Sequence, residues 1–308
     1  MEKSKRIVAR ELPDGSIRNV QPFHVSLEGM ETAVLCRDDR DYDAFVKIIC
    51  VAARRKNVIV VIYAVVSNHS HAGVLALCQQ DAEDFGEEVK RIGSMWLAKR
   101  YGDRGIMRNV DVKALPLDSD WYLRNALAYI PRNALDNGCN VNDYPWSGYR
   151  AMFREEPLPA DGLRRVSEMT QRERRAILHT ADPLDGVPWL VDADGALVPE
   201  SFCDFAYLEQ VFNHDQVYFI RTIGTLNSAE MKQKLIDAPR TIMKDSDFYQ
   251  EVDAIANRWF QTGLTHLTLT QKIRLIPYVK RTHKTNIPQL ARVFGLKRDK
   301  VEAILKAK

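Results

Sequence analysis

The spacing of hydrophobic and polar positions predicts alternating strands and helices over the first half of the chain. Residues 20–27 (VQPFHVSL) alternate, with Phe23 and Val25 on one face of a strand and His24 and Ser26 on the other. Residues 38–56 form an amphipathic helix: Phe45, Ile48, Ile49 and Ala52 recur at helical spacing, and Arg54-Arg55-Lys56 complements its C-terminal dipole. Two apolar runs follow, 58–66 and 72–77. Both are rich in β-branched and other apolar residues and too short for ordinary helices, so they predict strands. Ser67-Asn68 between them has turn composition. A second amphipathic helix covers 81–100, and a fourth strand covers 110–117. Asp118-Ser119-Asp120 then caps a helix running from Trp121 to about Asn137, where Gly138 ends it.

That order, β-α-β-β-α-β plus a helix, predicts an α+β fold with a ferredoxin-like antiparallel sheet. Its first and third strands would be neighbours in the middle, with helices on one face and the other face open for a substrate. Residues 139–160 read as a proline-containing connector. From 161 the pattern turns mainly helical, with candidates at 164–178, 205–212, 228–236 and 247–260. Helices at 271–281, 286–294 and 297–307 close the chain. Ala291, Gly295 and Val301, with Leu290, Phe294, Leu296 and Ile304, have the spacing of a helix-turn-helix. The expected division is 1–150, 151–267 and 268–308.

Composition adds limits. Of 308 residues, 45% are hydrophobic and 28% charged, as in a soluble globular chain. No apolar stretch approaches the roughly 20 residues that span a bilayer. The first residues, MEKSKRIVAR, lack a secretory apolar segment, so a cytoplasmic protein is expected. Five cysteines without CxxC spacing suggest reduced thiols. Charge sharpens the picture. Residues 271–308 hold eleven Lys/Arg against two acids, a local +9 within a total of +3, which leaves −6 elsewhere. A basic tail on a mildly acidic body offers a foothold for nucleic acid, with Arg292, Lys297, Arg298 and Lys300 as the candidate contacts. The plainer reading is a solvated basic helical tail.

Candidate chemistry centres on Ser67-Asn68-His69-Ser70-His71. His69 and His71 project from one face of a strand, roughly 7 Å apart, and two imidazoles so placed can hold a metal ion. The pair alone reads more simply as two surface histidines at the start of a strand. On the helix from Trp121, Tyr129 and Asn133 share a face, being four residues apart. Two imidazoles and a carboxamide could supply three ligands to a divalent ion. The tyrosine would stand beside a phosphate on that ion, an apparatus suited to phosphodiester transfer.

The first 150 residues resemble the HUH-class, single-tyrosine transposases of the insertion-sequence-200-like group, most of all their REP-associated branch. The residues that carry the resemblance are Tyr63, Asn68-His69-Ser70-His71, Tyr122-Leu123, Tyr129-Ile130 with Asn133, and Tyr144-Pro145-Trp146-Ser147-Gly148-Tyr149. The resemblance implies His69 and His71 as ligands of Mg²⁺ or Mn²⁺, Asn133 as third ligand and Tyr129 as nucleophile. It also implies cleavage and rejoining of single-stranded DNA beside a hairpin. Tyr122, Tyr144 and Tyr149 are expected to pack. The chain departs from that pattern at Ser70 (a bulky apolar residue in the family), at Ser67 (usually proline) and at Pro131, which is expected to bend the helix and re-aim Tyr129. An alternative is a domesticated DNA-binding protein or regulator that recognises hairpin DNA. The sequence leaves open whether Tyr129 serves its own chain or a second copy in a homodimer.

Overall fold

The architecture comes from a computed structural model. It describes residues 6–28, 34–102, 105–154, 156–159, 161–234, 243–283 and 285–306. The chain is α+β. Its first half is built on β1 (Val8–Glu11), β2 (Ile17–Glu28), α1 (Asp39–Lys56), β3 (Ile59–Val65), β4 (Ser70–Ala76), α2 (Gln79–Tyr101), β5 (Asp111–Pro116) and α3 (Asp120–Arg132). Strand β2 is the long central one. It pairs antiparallel with β4 along one side and with β5 along the other. β3 lies beyond β4, and β1 forms a hairpin with the start of β2.

Alternation along β2 decides its two faces. Phe23, Val25 and Leu27 turn to α1 and α2, where they join Phe45, Ile49, Phe85 and Val89 in the main core. His24 and Ser26 take the other face, as their spacing predicts. That other face is not open along its length. Leu75 and Ile62 point there, and α3 and α6 (Gln216–Lys234) cover them with Leu123, Leu127, Ile130 and Phe219. Apolar strand residues on the second face require a second cover; only the histidine end remains for chemistry.

Gly73 lets α3 sit down on β4. A Cβ there would lie 2.8 Å from Leu127 Cδ2 and 3.2 Å from Ile62 Cγ2. Gly73→Val should therefore cost about 1–3 kcal/mol through overpacking. A urea midpoint equal to that of the unaltered protein would refute the close approach.

Helix α3 is capped by the Ser119 hydroxyl, which accepts from Tyr122 N–H. It ends at Arg132, and residues Asn133–Asn137 tighten into a 3₁₀ turn closed by Gly138 at φ +66°. The predicted single helix is thus split. Pro131 has no N–H for the Leu127 carbonyl, so regular α-helix gives way within one residue. Tyr129 lies before the change and keeps its face.

The middle of the chain corrects one prediction. Arg164–Arg165 is a short strand, β6, paired with β7 (Leu190–Val191). Helix α4 (Gln171–Leu178) begins only after Thr170, whose hydroxyl and Glu173 form a reciprocal cap. Of the helix expected at 228–236, α6 includes the part to Lys234; residues 235 and 236 lie outside those described. After α5 (Phe205–Val211), the chain ends in α7 (Asp245–Phe260), α8 (Leu269–Thr282), α9 (Ile287–Phe294) and α10 (Arg298–Lys306). These bury Phe248, Leu275, Ile276, Leu290, Phe294 and Val301 together. Gly295, at φ +62°, makes the left-handed turn between α9 and α10. Among the described residues no helix is long and apolar enough to cross a membrane.

Candidate metal and tyrosine site

The histidine end of the second sheet face gathers three histidines, a tyrosine and an asparagine, of which His69 and Tyr129 are partly exposed. A tight turn brings the chain into β4, with the Val66 N–H donating to the His69 carbonyl at 3.0 Å. His71 sits opposite Ser26 of β2, and His24 opposite Gly73, so the two histidines are diagonal neighbours on one face. The rings of His69 and His71 lie 4.9 Å apart, edge to face. Tyr129 comes down from α3. Its ring is 5.5 Å from that of His71 and 6.2 Å from that of His24. Buried Arg132 packs over the same phenol, its guanidinium carbon 5.5 Å from the ring centre.

Asn133 is fully buried. Its amide nitrogen donates to the carbonyls of Tyr129 and Ile130 at 3.0 and 3.1 Å, where the helix gives up its regular bonds. That fixes the carboxamide orientation. Its Oδ1 therefore points away from those carbonyls and lies 3.5 Å from His69 Nε2. The four residues predicted for the site are thus brought together within one chain.

The ring nitrogens divide their duties. His69 Nδ1 meets Asn68 Oδ1 at 2.9 Å, and His71 Nδ1 meets His24 Nε2 at 3.0 Å. A neutral imidazole carries one N–H. If the short Asn68 contact uses it, His69 Nε2 turns a lone pair toward the lone pairs of Asn133 Oδ1. In that tautomer a cation placed between the two atoms would satisfy both. A metal with ligands about 2.1 Å away sets neighbouring donor atoms about 3.0–3.4 Å apart, close to the separation observed.

Burial also keeps two rings neutral, as metal ligation requires. Desolvation, with His69 and His24 adding repulsion, holds His71 well below the usual histidine range. Desolvation lowers His24 to about 4, against a weak opposing pull from Glu28. The unfolded chain binds these protons near pH 6.5 and the native one does not. Stability of the metal-free protein should therefore fall as pH drops from about 6.5 toward 4. His24 alone accounts for about 3 kcal/mol of that loss. Urea unfolding at pH 7 and pH 4.5 checks this; equal midpoints would contradict it.

Comparison with family models, curated proteins and solved structures returns no match for this chain. Function must rest on the geometry. Among the described residues no group of three or more His, Cys, Asp or Glu side chains could hold a metal ion. A divalent ion at this site would instead be held by His69, His71 and the Asn133 carboxamide, leaving positions for water or phosphate oxygens. Mixed imidazole and carbonyl donors without a carboxylate suit Mn²⁺ better than Mg²⁺.

The remaining predicted residues lie apart. Lys297, Arg298 and Lys300 are exposed around the start of α10. Arg292 turns inward instead and forms a two-pronged ion pair with Asp245, at 2.5 and 3.0 Å. The tyrosines expected to pack do so: Tyr144 is buried and donates to the Val65 carbonyl, and Tyr149 stacks on Phe219. Tyr122 is half-buried against the core beneath α3. Two site residues escaped the sequence reading. His24 carried only a face assignment, because the β2–β4 register that sets it beside His71 is a long-range property. Arg132 offered no signal beyond helical spacing from Tyr129.

Proposed function

We propose that the chain is a metal-dependent, single-strand DNA strand transferase of the HUH type, with Tyr129 as nucleophile. The observation that carries this is the gathering of His69, His71, Asn133 and Tyr129 at one sheet end, with both histidine Nδ1 atoms tethered. The succession β2-α1-β3-β4-α2-β5, with β2 and β4 adjacent, supports the ferredoxin-like reading. The α9–Gly295–α10 corner and its exposed basic residues support a helix-turn-helix that takes duplex DNA.

When bound, Mn²⁺ or Mg²⁺ would supply Lewis acidity to a phosphate oxygen. Tyr129 Oη would attack the phosphorus in line. The bond from phosphorus to the 3′ oxygen breaks, that oxygen leaves as a hydroxyl with the phenol proton, and the 5′ phosphate stays on tyrosine. A second 3′ hydroxyl reverses the step on another strand. Because Tyr129 lies beside the histidines of its own chain, the nucleophile would act in cis.

The test is incubation of the full chain with a hairpin-bearing single-stranded oligonucleotide and Mn²⁺. A covalent protein–DNA adduct, resistant to denaturation and absent with chelator, is expected. Tight hairpin binding with no adduct would replace this reading by that of a DNA-binding regulator. Lys297→Ala with Lys300→Ala should weaken duplex binding and reduce its salt slope by up to about two. Unchanged slope in filter binding would remove the DNA role of α10.

A further inference from the structure

We infer that His24 is a positioning residue: its imidazole holds His71 in the tautomer that presents Nε2 to a divalent cation. The inference rests on the proposed metal site. It concerns a residue that neither the strand motif nor the helix motif contains.

His24 Nε2 lies 3.0 Å from His71 Nδ1, and both side chains are buried. One proton is shared in such a contact. If His71 Nδ1–H donates, its Nε2 keeps a lone pair for a cation. If His24 donates instead, His71 Nε2 carries the hydrogen and repels one. Ligand histidines commonly have the second nitrogen tied to a neighbouring acceptor, which fixes ring and tautomer. His69 has that arrangement through Asn68. For His71 the acceptor is another imidazole.

The surroundings explain why an imidazole serves. The acid that acts on His24 is Glu28, already engaged by Ser26 at 2.8 Å and Lys113 at 2.6 Å. In the metal-free protein a carboxylate at position 24 would have to be buried as a charge, which is costly. A neutral imidazole accepts the hydrogen bond and adds no charge beneath the metal.

The register supplies the reach. Because His24 is diagonal to His71 across β2 and β4, the rings meet at a centroid distance of 5.1 Å, tilted by 30°. Tyr129 closes over both, so a change at position 24 also alters the wall against which the phenol rests.

Two measurements test the inference. Long-range ¹H–¹⁵N spectra of the metal-free, unaltered protein should assign the His71 proton to Nδ1; a proton on Nε2 would overturn it. Titration with Mn²⁺ alone, followed by electron paramagnetic resonance, should show His24→Leu binding about 10- to 100-fold more weakly. His24→Gln, whose carbonyl oxygen can accept from His71 Nδ1, should bind close to the unaltered protein. His71→Ala should lose the ion. Unchanged Mn²⁺ affinity in His24→Leu, with binding still lost in His71→Ala, would overturn the role of His24 and leave the metal site standing. Loss in both His24 variants, with three imidazole nitrogens on the ion before substitution, would make His24 a ligand instead. If the unaltered protein binds no Mn²⁺, the metal reading and this inference fall together.

Discussion

Asp245→Ala is expected to cost about 3–5 kcal/mol of stability, the range for leaving a buried charge without its partner. Asp245 is 6% exposed and opens α7. Its carboxylate accepts from Arg292 Nε and Nη2, from Gln289 Nε2 at 3.0 Å and from Ser67 Oγ at 3.0 Å. One side chain thus joins α7, α9 and the turn that leads into His69. Truncation strands the Arg292 guanidinium and two further donors. Replacing the pair together, Asp245→Ala with Arg292→Met, should cost less than Asp245→Ala alone, since no charge is left uncompensated. Urea unfolding at pH 7 measures both. A loss below about 1 kcal/mol for the single change would show that the carboxylate is not the junction.

Tyr129→Phe is expected to abolish adduct formation, by at least about 10⁴-fold, while leaving hairpin binding and unfolding unchanged. Only a hydroxyl is removed, and the ring still packs against His71, His24 and Arg132. Neither Tyr144 nor Tyr149 can substitute. The hydroxyl of Tyr144 is spent on the Val65 carbonyl, and Tyr149 stands against Phe219 of α6. Gel analysis of the oligonucleotide reaction with Mn²⁺ reads the result. An adduct that persists in Tyr129→Phe would assign the nucleophile elsewhere.

Local features were legible in the sequence where local physics governs. Period-two spacing in β2 placed Phe23 and His24 on opposite faces. Helix starts were legible at Asp38 and Asn286 and a cap at Asp118-Ser119-Asp120; Asp38, Ser119 and Asn286 are the capping residues, their side chains accepting backbone N–H bonds. What needed long-range information was not legible. The partnership of His24 with His71 depends on register, and that of Asp245 with Ser67 spans 178 residues. The second cover of the sheet escaped because Gly73, a glycine within a strand, gives no hint of the helix resting on it. Arg292 was placed among the candidate DNA contacts by its charge, whereas Asp245 draws it inward. Ser67, a departure from the motif, has a structural use: it donates to Asp245.

Pro131 shows how a local rule can be right while its consequence is not. The helix does stop being regular there, as proline chemistry requires. Tyr129 precedes the break and keeps its direction. The change to a tighter turn gives the Asn133 amide nitrogen two carbonyls to hold, which aims its oxygen at His69.

Crystals grown with Mn²⁺ and measured at its absorption edge test the central claim most directly. An anomalous peak within coordination distance of His69 Nε2, His71 Nε2 and Asn133 Oδ1, on the side where Tyr129 stands, is the expected result. A protein saturated with Mn²⁺ that shows no peak there, or one lying between His24 and His71 Nδ1, would contradict it.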